Sequence, residues 1–436
     1  RKSHTTAGLP LRQVGAQQID IVRIVTPLTK SAVMLDSPEL IRYELERALY
    51  IATSGRPGPV WLDIPLDFQW AMISPPRLKG FVPPRHRRVE ASMKRRAREG
   101  AERVFQMLKY SKRPLVFAGS GIRLSHGVSE FCDLVKRGNL PFLTTWTAID
   151  YAATASPLCL GRPGMLGQRG ANMAPSACDF LLTVGSHLAI TLTGTRSDAF
   201  APQARKVMVD IDQDELDHSH VKQDLKVCCD AREFLFQLLA LVKKHGYKAS
   251  KDWLRHCQEF KRLNGIESRP PQGGRFVDPY ELVSSLSKAL APTDSVVVDG
   301  GGTIDQVFYQ AFDAKVGQRV VISAALCAMG SGFPEGVGVA LARPRGRTVV
   351  LCGDGSFQFN VHELQTIKNL GLKVKIFILS NQGYLSIRHT QGGFLQKRYY
   401  GSGFNGGLSL PDCKKVAAAY GIPSIKVAGK GNLKQA

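Results

Sequence analysis

Short runs of Val, Ile, Leu and Phe alternate with amphipathic stretches along almost the whole of this chain. The runs at 59–64, 115–119, 180–185, 206–211, 295–299, 348–352 and 374–379 are near-continuously apolar, as strands buried on both faces must be. Between them, stretches such as 39–52, 97–108 and 279–289 repeat apolar residues at helical spacing. Strand, helix and strand in succession form parallel sheets covered on both faces, so the expected fold class is α/β. No apolar run reaches the roughly 18 residues of a membrane-crossing helix.

A chain of 436 residues exceeds one ordinary domain. Two connectors divide it. "ISPPRLKGFVPPRHRR" (73–88) is rich in proline and positive charge, and "RLNGIESRPPQGGRFVDP" (262–279) combines Pro-Pro with Gly-Gly. The expected organisation is a first piece at 1–72, a linker at 73–95, a central α/β domain at 96–245, a second linker at 246–276, and a last α/β domain at 277–436. The first piece is short for a self-standing domain and reads as the end of something larger. Its opening residues carry no initiator Met and no apolar signal core, so the start looks trimmed.

The nine cysteines show neither a CxxC pair nor Cys/His ligand spacing, which points to reduced thiols and a cytoplasmic setting. With 58 Lys and Arg against 36 Asp and Glu, the net charge is +22, and nucleic acid has to be considered. The basic residues are spread widely, however, with one cluster at 85–98 on the first connector. No zinc-finger spacing or RNA-binding aromatic signature accompanies them. The expected partners therefore exclude nucleic acid and membrane. An anionic cofactor and anionic substrates account for the charge.

The stretch "LCGDGSFQFNVHELQTIKNLGLKVKIFILSNQGYL" (351–385) carries the chemistry. Gly353-Asp354-Gly355 follows an apolar strand, and Asn381 closes the next one. Glycine loops at the carboxyl ends of parallel strands are where open α/β sheets take ligands. Gly353 and Gly355 let backbone approach a phosphate, and the following helix, with Glu363, Leu364 and Ile367, offers amides. A carboxylate does not suit a bare anion site, but it does suit a divalent metal between loop and phosphates. Mg²⁺ prefers hard oxygen ligands and keeps phosphate oxygens among them. Asp354 and the amide oxygen of Asn381 supply two such ligands, and Gly383 a backbone carbonyl. A plain turn explains GDG alone, but not the spacing to a strand-ending Asn followed by Gln-Gly.

Gly353-Asp354-Gly355, the helix opening "FNVHELQT", a strand and then "SNQGY" resemble the diphosphate-metal signature of thiamine diphosphate-dependent enzymes. The usual pair of asparagines is here Ser380-Asn381. By that resemblance Asp354, Asn381 and Gly383 ligate Mg²⁺, while Ser356 and Tyr384 join Gly353 and Gly355 in holding thiamine diphosphate. "ALCAMGSGFPEGVGVALA" (325–342) resembles the segment whose bulky apolar residue wedges under the cofactor, which places Met329 there; a lone Met otherwise packs in a core. "DGGGTIDQ" (299–306) would line the diphosphate side through Gly301, Gly302 and Thr303, though such glycines also make plain strand–helix turns.

The N-terminal piece, with Ala16-Gln17-Gln18 and Thr29-Lys30, is similar to the closing part of the pyrimidine domain in the acetolactate synthase branch. That likeness puts Gln17 and Lys30 near the substrate channel. The central piece resembles the domain that holds FAD as a structural cofactor in acetolactate synthase. Two positions where arginines are usual appear as His187 and Thr191, so FAD stays open.

The implied architecture is three-part: an incomplete pyrimidine-binding domain, a central Rossmann-like domain and a truncated diphosphate-binding domain. The implied reaction decarboxylates a 2-oxo acid such as pyruvate and adds the two-carbon unit to a second carbonyl. The glutamate that activates the cofactor is expected upstream, so no catalytic residue is assigned in this chain, and a homodimer or homotetramer is expected. The segment after Asn381 departs from acetolactate synthases, which leaves three alternatives: a 2-oxo acid decarboxylase, transfer to a keto-sugar, and a non-catalytic cofactor-binding protein.

Overall fold

The computed structural model describes residues 10–84, 87–265 and 276–429, leaving aside the side chains of 87–89. The chain divides between Met93 and Lys94 into two compact units. In the first, strands β1 (Ala32–Met34) and β2 (Trp61–Asp63) pair in parallel, connected through the helix Ile41–Thr53. Leu35 is the one buried residue among those described from 10 to 84, and Leu28, Trp70 and Met72 are exposed.

The second unit holds two all-parallel sheets. The first contains β3 (Pro114–Ala118), β4 (Phe142–Thr144), β5 (Cys159–Gly161), β6 (Phe180–Val184), β7 (Arg205–Asp210) and β8 (Leu225–Cys228). Their spatial order is β5-β4-β3-β6-β7-β8, the doubly wound arrangement with a reversal between β3 and β6. Apolar runs were expected where both faces are covered, and strand pleating shows why. Val116 and Ala118 enter one core with the helices Arg87–Tyr110, Val128–Gly138 and Ala231–His245. Leu115 and Phe117 enter the core on the opposite face, with the helices Arg169–Ala177 and Lys251–Arg262.

The last sheet comprises β9 (Ser295–Val298), β10 (Arg319–Ile322), β11 (Thr348–Gly353) and β12 (Val374–Leu379), in the order β10-β9-β11-β12. Val296, Val298, Val349 and Leu351 pack to one side, and Val297, Val350 and Cys352 to the other. The chain runs outward from β9 to β10 and then returns to the other flank of β9, so the topological switch lies between β9 and β11. Both glycine loops singled out in the sequence leave the sheet at that switch.

Two expectations change. The stretch 246–276, read as a linker, contains the helix Lys251–Arg262. Its Trp253, Cys257 and Phe260 are buried, and Trp253 Nε1 donates to the Pro114 carbonyl at 2.8 Å. Residues 266–275 of that stretch, like residues 1–9 and 430–436 of the end pieces, lie outside the described residues. The stretch 73–95 likewise ends inside a helix, which begins at Arg87. Among the described residues no helix is long and apolar enough to cross a membrane.

Candidate functional site

Four connections leave the carboxyl edge of the last sheet: 299–302 after β9, 323–331 after β10, 353–357 after β11 and 380–384 after β12. Asp299 draws the first three together. Its carboxylate accepts from the amides of Gly300 at 2.9 Å, Gly332 at 3.0 Å and Gly330 at 3.3 Å. Burial pushes its carboxyl up despite those donors and Ser356. Ser356, itself buried, donates to the Gly300 carbonyl at 3.4 Å and joins the first loop to the third. Gly300 has no room for a side chain, because a Cβ there would meet the backbone of Cys327 and Ala328.

Gly301 and Gly302 sit at φ 99° and 79°, values that favour glycine, and lead into the helix Thr303–Ala311. A Cβ on Gly302 would meet a single atom within 4 Å, Ser386 Oγ at 3.7 Å, and one on Gly353 would meet nothing. The backbone at these two glycines is thus open to a ligand, in contrast to Gly300. Met329 lies beside Gly301 and is 38% exposed, so it stands at the rim of this opening rather than in a core. Tyr384 packs its ring where a Cβ of Gly355 would have to go.

Asp354 organises the fourth loop. One carboxylate oxygen accepts from the amides of Asn381 at 3.0 Å and Gln382 at 2.7 Å, and from the Ser380 hydroxyl at 3.2 Å; the other accepts from the Gly355 amide at 2.9 Å. Ser380 therefore ties the loop to Asp354 directly. Asn381 Oδ1 is buried and has no hydrogen-bond partner. A buried amide oxygen left this way costs free energy unless a ligand satisfies it. A carboxylate, an amide oxygen and a backbone carbonyl, as on Asp354, Asn381 and Gly383, are donor types that Mg²⁺ takes. Among the described residues no group of three or more His, Cys, Asp or Glu could hold a metal ion.

The helix expected to supply amides at GDG is displaced. A single helical turn, Asp354–Phe357, follows the loop, and the helix with Leu364 and Ile367 starts only at Glu363. Its buried Leu364 and Ile367 serve the core.

Residues 101–238 match the central domain of thiamine pyrophosphate enzymes, and residues 300–436 match their C-terminal TPP-binding domain. The chain is 30% identical to the acetolactate synthase large subunit of Cyanidium caldarium, over 96% of this chain and 71% of that protein. It is 30% identical to the acetolactate synthase isozyme 2 large subunit of Escherichia coli, over 96% and 73%. With the probable acetolactate synthase large subunit of Methanocaldococcus jannaschii it shares 29% identity over 99% and 73%. The chain belongs to the thiamine pyrophosphate enzymes, in their acetolactate synthase-like branch.

In this thiamine pyrophosphate enzyme Asp299 and Asp305 brace the glycine loop between them, and the sequence reading quoted their stretch without assigning either. Asp305 Oδ2 accepts from the Gly301 amide at 2.6 Å and so fixes the glycine loop from the helix side. Its Oδ1 is buried without a partner. Burial pushes its carboxyl up to about 7, the Gly301 amide opposing and the Asp299 charge adding to the shift. An acid at the end of a strand before three glycines was the available signal for Asp299; Asp305 needs the helix start to be known.

Gln17 and Lys30 lie in the first unit. Gln17 is exposed at φ 65°, and Lys30 Nζ donates to the carbonyls of Ile51 and Ser54, both at 2.6 Å, at the end of the helix Ile41–Thr53. At the β3/β6 reversal a Cβ on Gly119 would collide with the Gly185 carbonyl, so the two loops touch there. Arg123 is taken by Asp150, Arg196 by Asp198, and His187 lies 3.7 Å from Glu215.

Proposed function

We propose that this chain is the catalytic subunit of an acetolactate synthase-like carboligase. It would decarboxylate a 2-oxo acid such as pyruvate and join the two-carbon unit to a second carbonyl. The observation that carries this reading is the buried, unpartnered Asn381 Oδ1 on a loop tethered to Asp354, in the same row of loops as the open glycines 302 and 353. Asp354, Asn381 and the Gly383 carbonyl would hold Mg²⁺. Gly301, Gly302, Thr303, Gly353, Gly355 and Ser356 would line the diphosphate, with Tyr384 closing over Gly355 and Met329 beside the cofactor ring.

When bound, thiamine diphosphate supplies the electron sink for losing CO₂ and forming the new carbon–carbon bond. The chain's part is to position and to exclude. Asp299 locks three loops into one rim, and Asp354 holds the fourth. Preorganised loops of this kind spare the cost of ordering them at each turnover. Lys30 caps the helix Ile41–Thr53 within the first unit, and the family resemblance assigns it and Gln17 to the substrate channel. The nine cysteines are free thiols, which supports a reducing, cytoplasmic setting. A homodimer or homotetramer is the proposed assembly.

The test is incubation of the full-length protein with pyruvate, thiamine diphosphate and Mg²⁺, following products by NMR. One acetolactate per CO₂ from two pyruvates is expected, with loss of at least a hundredfold in Asp354→Ala, on the order of the cost of removing a key electrostatic group. Acetaldehyde as the main product would replace the proposal with a simple decarboxylase. Cofactor binding without CO₂ release would leave a binding protein.

A further inference from the structure

Arg388 lies in the first half of the helix Leu385–Phe394, and its guanidinium turns back towards the start of that helix. Nη2 donates to the Asn381 carbonyl at 2.8 Å, and Nη1 reaches the Gln382 carbonyl at 3.4 Å. The amides of the same two residues go to Asp354. A carboxylate thus holds the loop's amides while a guanidinium holds its carbonyls. Between these clamps Gln382 sits at φ 60°, a conformation that a residue with a side chain adopts only when its surroundings impose it. Gly403 backs the guanidinium, since a Cβ there would lie 3.0 Å from Nη1.

The plain explanation, a cap for two loop carbonyls, leaves the charge unaccounted for. A cation directed at the N-terminal end of a helix opposes the helix dipole, and a neutral amide could make the same bonds without that cost. The Asp354 carboxylate on the amide side of the same loop offsets part of that cost, and no Asp or Glu occurs from 364 to 411 to add to it. An anion bound at this end of the sheet would.

We propose that Arg388 is a positioning residue of the metal–diphosphate site. It fixes the Asn381–Gln382 backbone so that Asn381 Oδ1 and the Gly383 carbonyl are preset for the metal, and its charge favours the diphosphate. This rests on the reading of the site as a Mg²⁺–thiamine diphosphate site.

The experiment titrates thiamine diphosphate and Mg²⁺ into the full-length protein by calorimetry, with no turnover needed, for the wild type, Arg388→Ala, Arg388→Lys and Arg388→Gln. Arg388→Ala is expected to weaken the diphosphate and raise the Mg²⁺ needed for half-saturation, each by about tenfold, the effect of losing one charge-assisted hydrogen bond. Arg388→Lys should recover part of the diphosphate affinity but little of the Mg²⁺ response, because its ammonium lacks the planar, fixed spacing of donors with which the guanidinium meets these two carbonyls. Arg388→Gln should stay weak for the diphosphate. The cofactor-free melting temperature should change little. Wild-type affinities in Arg388→Ala overturn the inference, and if that variant does not fold, wild-type affinities in both Lys and Gln variants do so. A wild type that binds no thiamine diphosphate with Mg²⁺ overturns the reading of the site itself, and the inference with it.

Discussion

Tyr384 occupies the space that any side chain at 355 would need, so the second glycine of GDG is set by packing as much as by phosphate approach. Gly355→Ala must displace the ring or the loop, and overpacking of this kind costs about 1–3 kcal/mol. A lower thermal midpoint and weaker cofactor binding are expected, with most of the loss removed when Tyr384→Ala is combined with it. An undiminished penalty in the double variant would mean that the loop itself resists the methyl group. Asp305 makes a prediction in pH. Its folded-state value near 7 lies above the 3.8 of a free aspartate. As pH rises from 4 to 7, the unfolded chain gives up this proton while the folded chain keeps it, so folding loses stability across that window. At pH 8 the loss is on the order of 4 kcal/mol. Asp305→Asn keeps an acceptor for the Gly301 amide without the charge, so its melting temperature should exceed the wild type's at pH 8 and converge with it towards pH 4. Equal midpoints at pH 8 would show that folding does not raise this carboxyl's pKa. Asp354 and Asn381 were legible beforehand because a strand, a glycine loop and a second strand put them at fixed spacing. Asp299 and Arg388 were not, since their roles depend on partners that only the folded sheet brings to them, the amides of Gly330 and Gly332 and the carbonyls of the metal loop.

The helix Thr303–Ala311 connects the cofactor loop to the neighbouring domain. Its C-terminal carbonyls are met by Arg162, a fully buried cation from the central sheet's β5 edge. Nε donates to the Tyr309 carbonyl at 2.6 Å and Nη2 to that of Phe312 at 3.0 Å, while Gln168 Nε2 donates to Gln310 at 2.9 Å. Trp146 stacks on Tyr309 at 4.4 Å between ring centres. A cation suits a helix C-terminus, and here burial removes competition from water. Arg162→Met keeps much of the volume but leaves the carbonyls unmet, a loss of about 2–4 kcal/mol. Hydrogen exchange should then quicken across 303–311 and stay unchanged in β3; uniform quickening would mean global destabilisation instead. Among the elements, β2, β3, β6, β7, β9, β11 and β12 were readable as apolar runs. Strand β8 is interrupted by Lys226, β10 opens with Arg319, and β4 and β5 are three residues long, so their apolar signal is weaker. The helix Lys251–Arg262 was hidden differently: Trp253, Cys257 and Phe260 mark one face, but the rest is strongly polar and a Pro-Pro/Gly-Gly run follows.

At the scale of the whole molecule, the two units differ in how well they bury apolar surface. The second carries four hydrophobic clusters on both faces of its sheets. The first has Leu35 buried among its described residues up to 84, with Trp70 82% and Met72 95% exposed and Leu28, Leu45, Leu49 and Leu66 also facing out. Two strands and one long helix are below what stands alone in water, and exposed apolar surface on this scale marks a face that packs against further protein, which in the proposed assembly is a second subunit. Light scattering on the full-length protein after size exclusion should therefore give a dimer or tetramer mass. Aspartates at Leu45 and Leu49, one helical turn apart on the helix Ile41–Thr53, should shift it towards the monomer by placing charge in the interface. Loss of cofactor binding in the dissociated variant would connect assembly to the site. Retained binding by a monomer would make the cofactor site a property of the second unit alone, and an oligomeric mass unchanged by the two aspartates would move the association face elsewhere on the molecule.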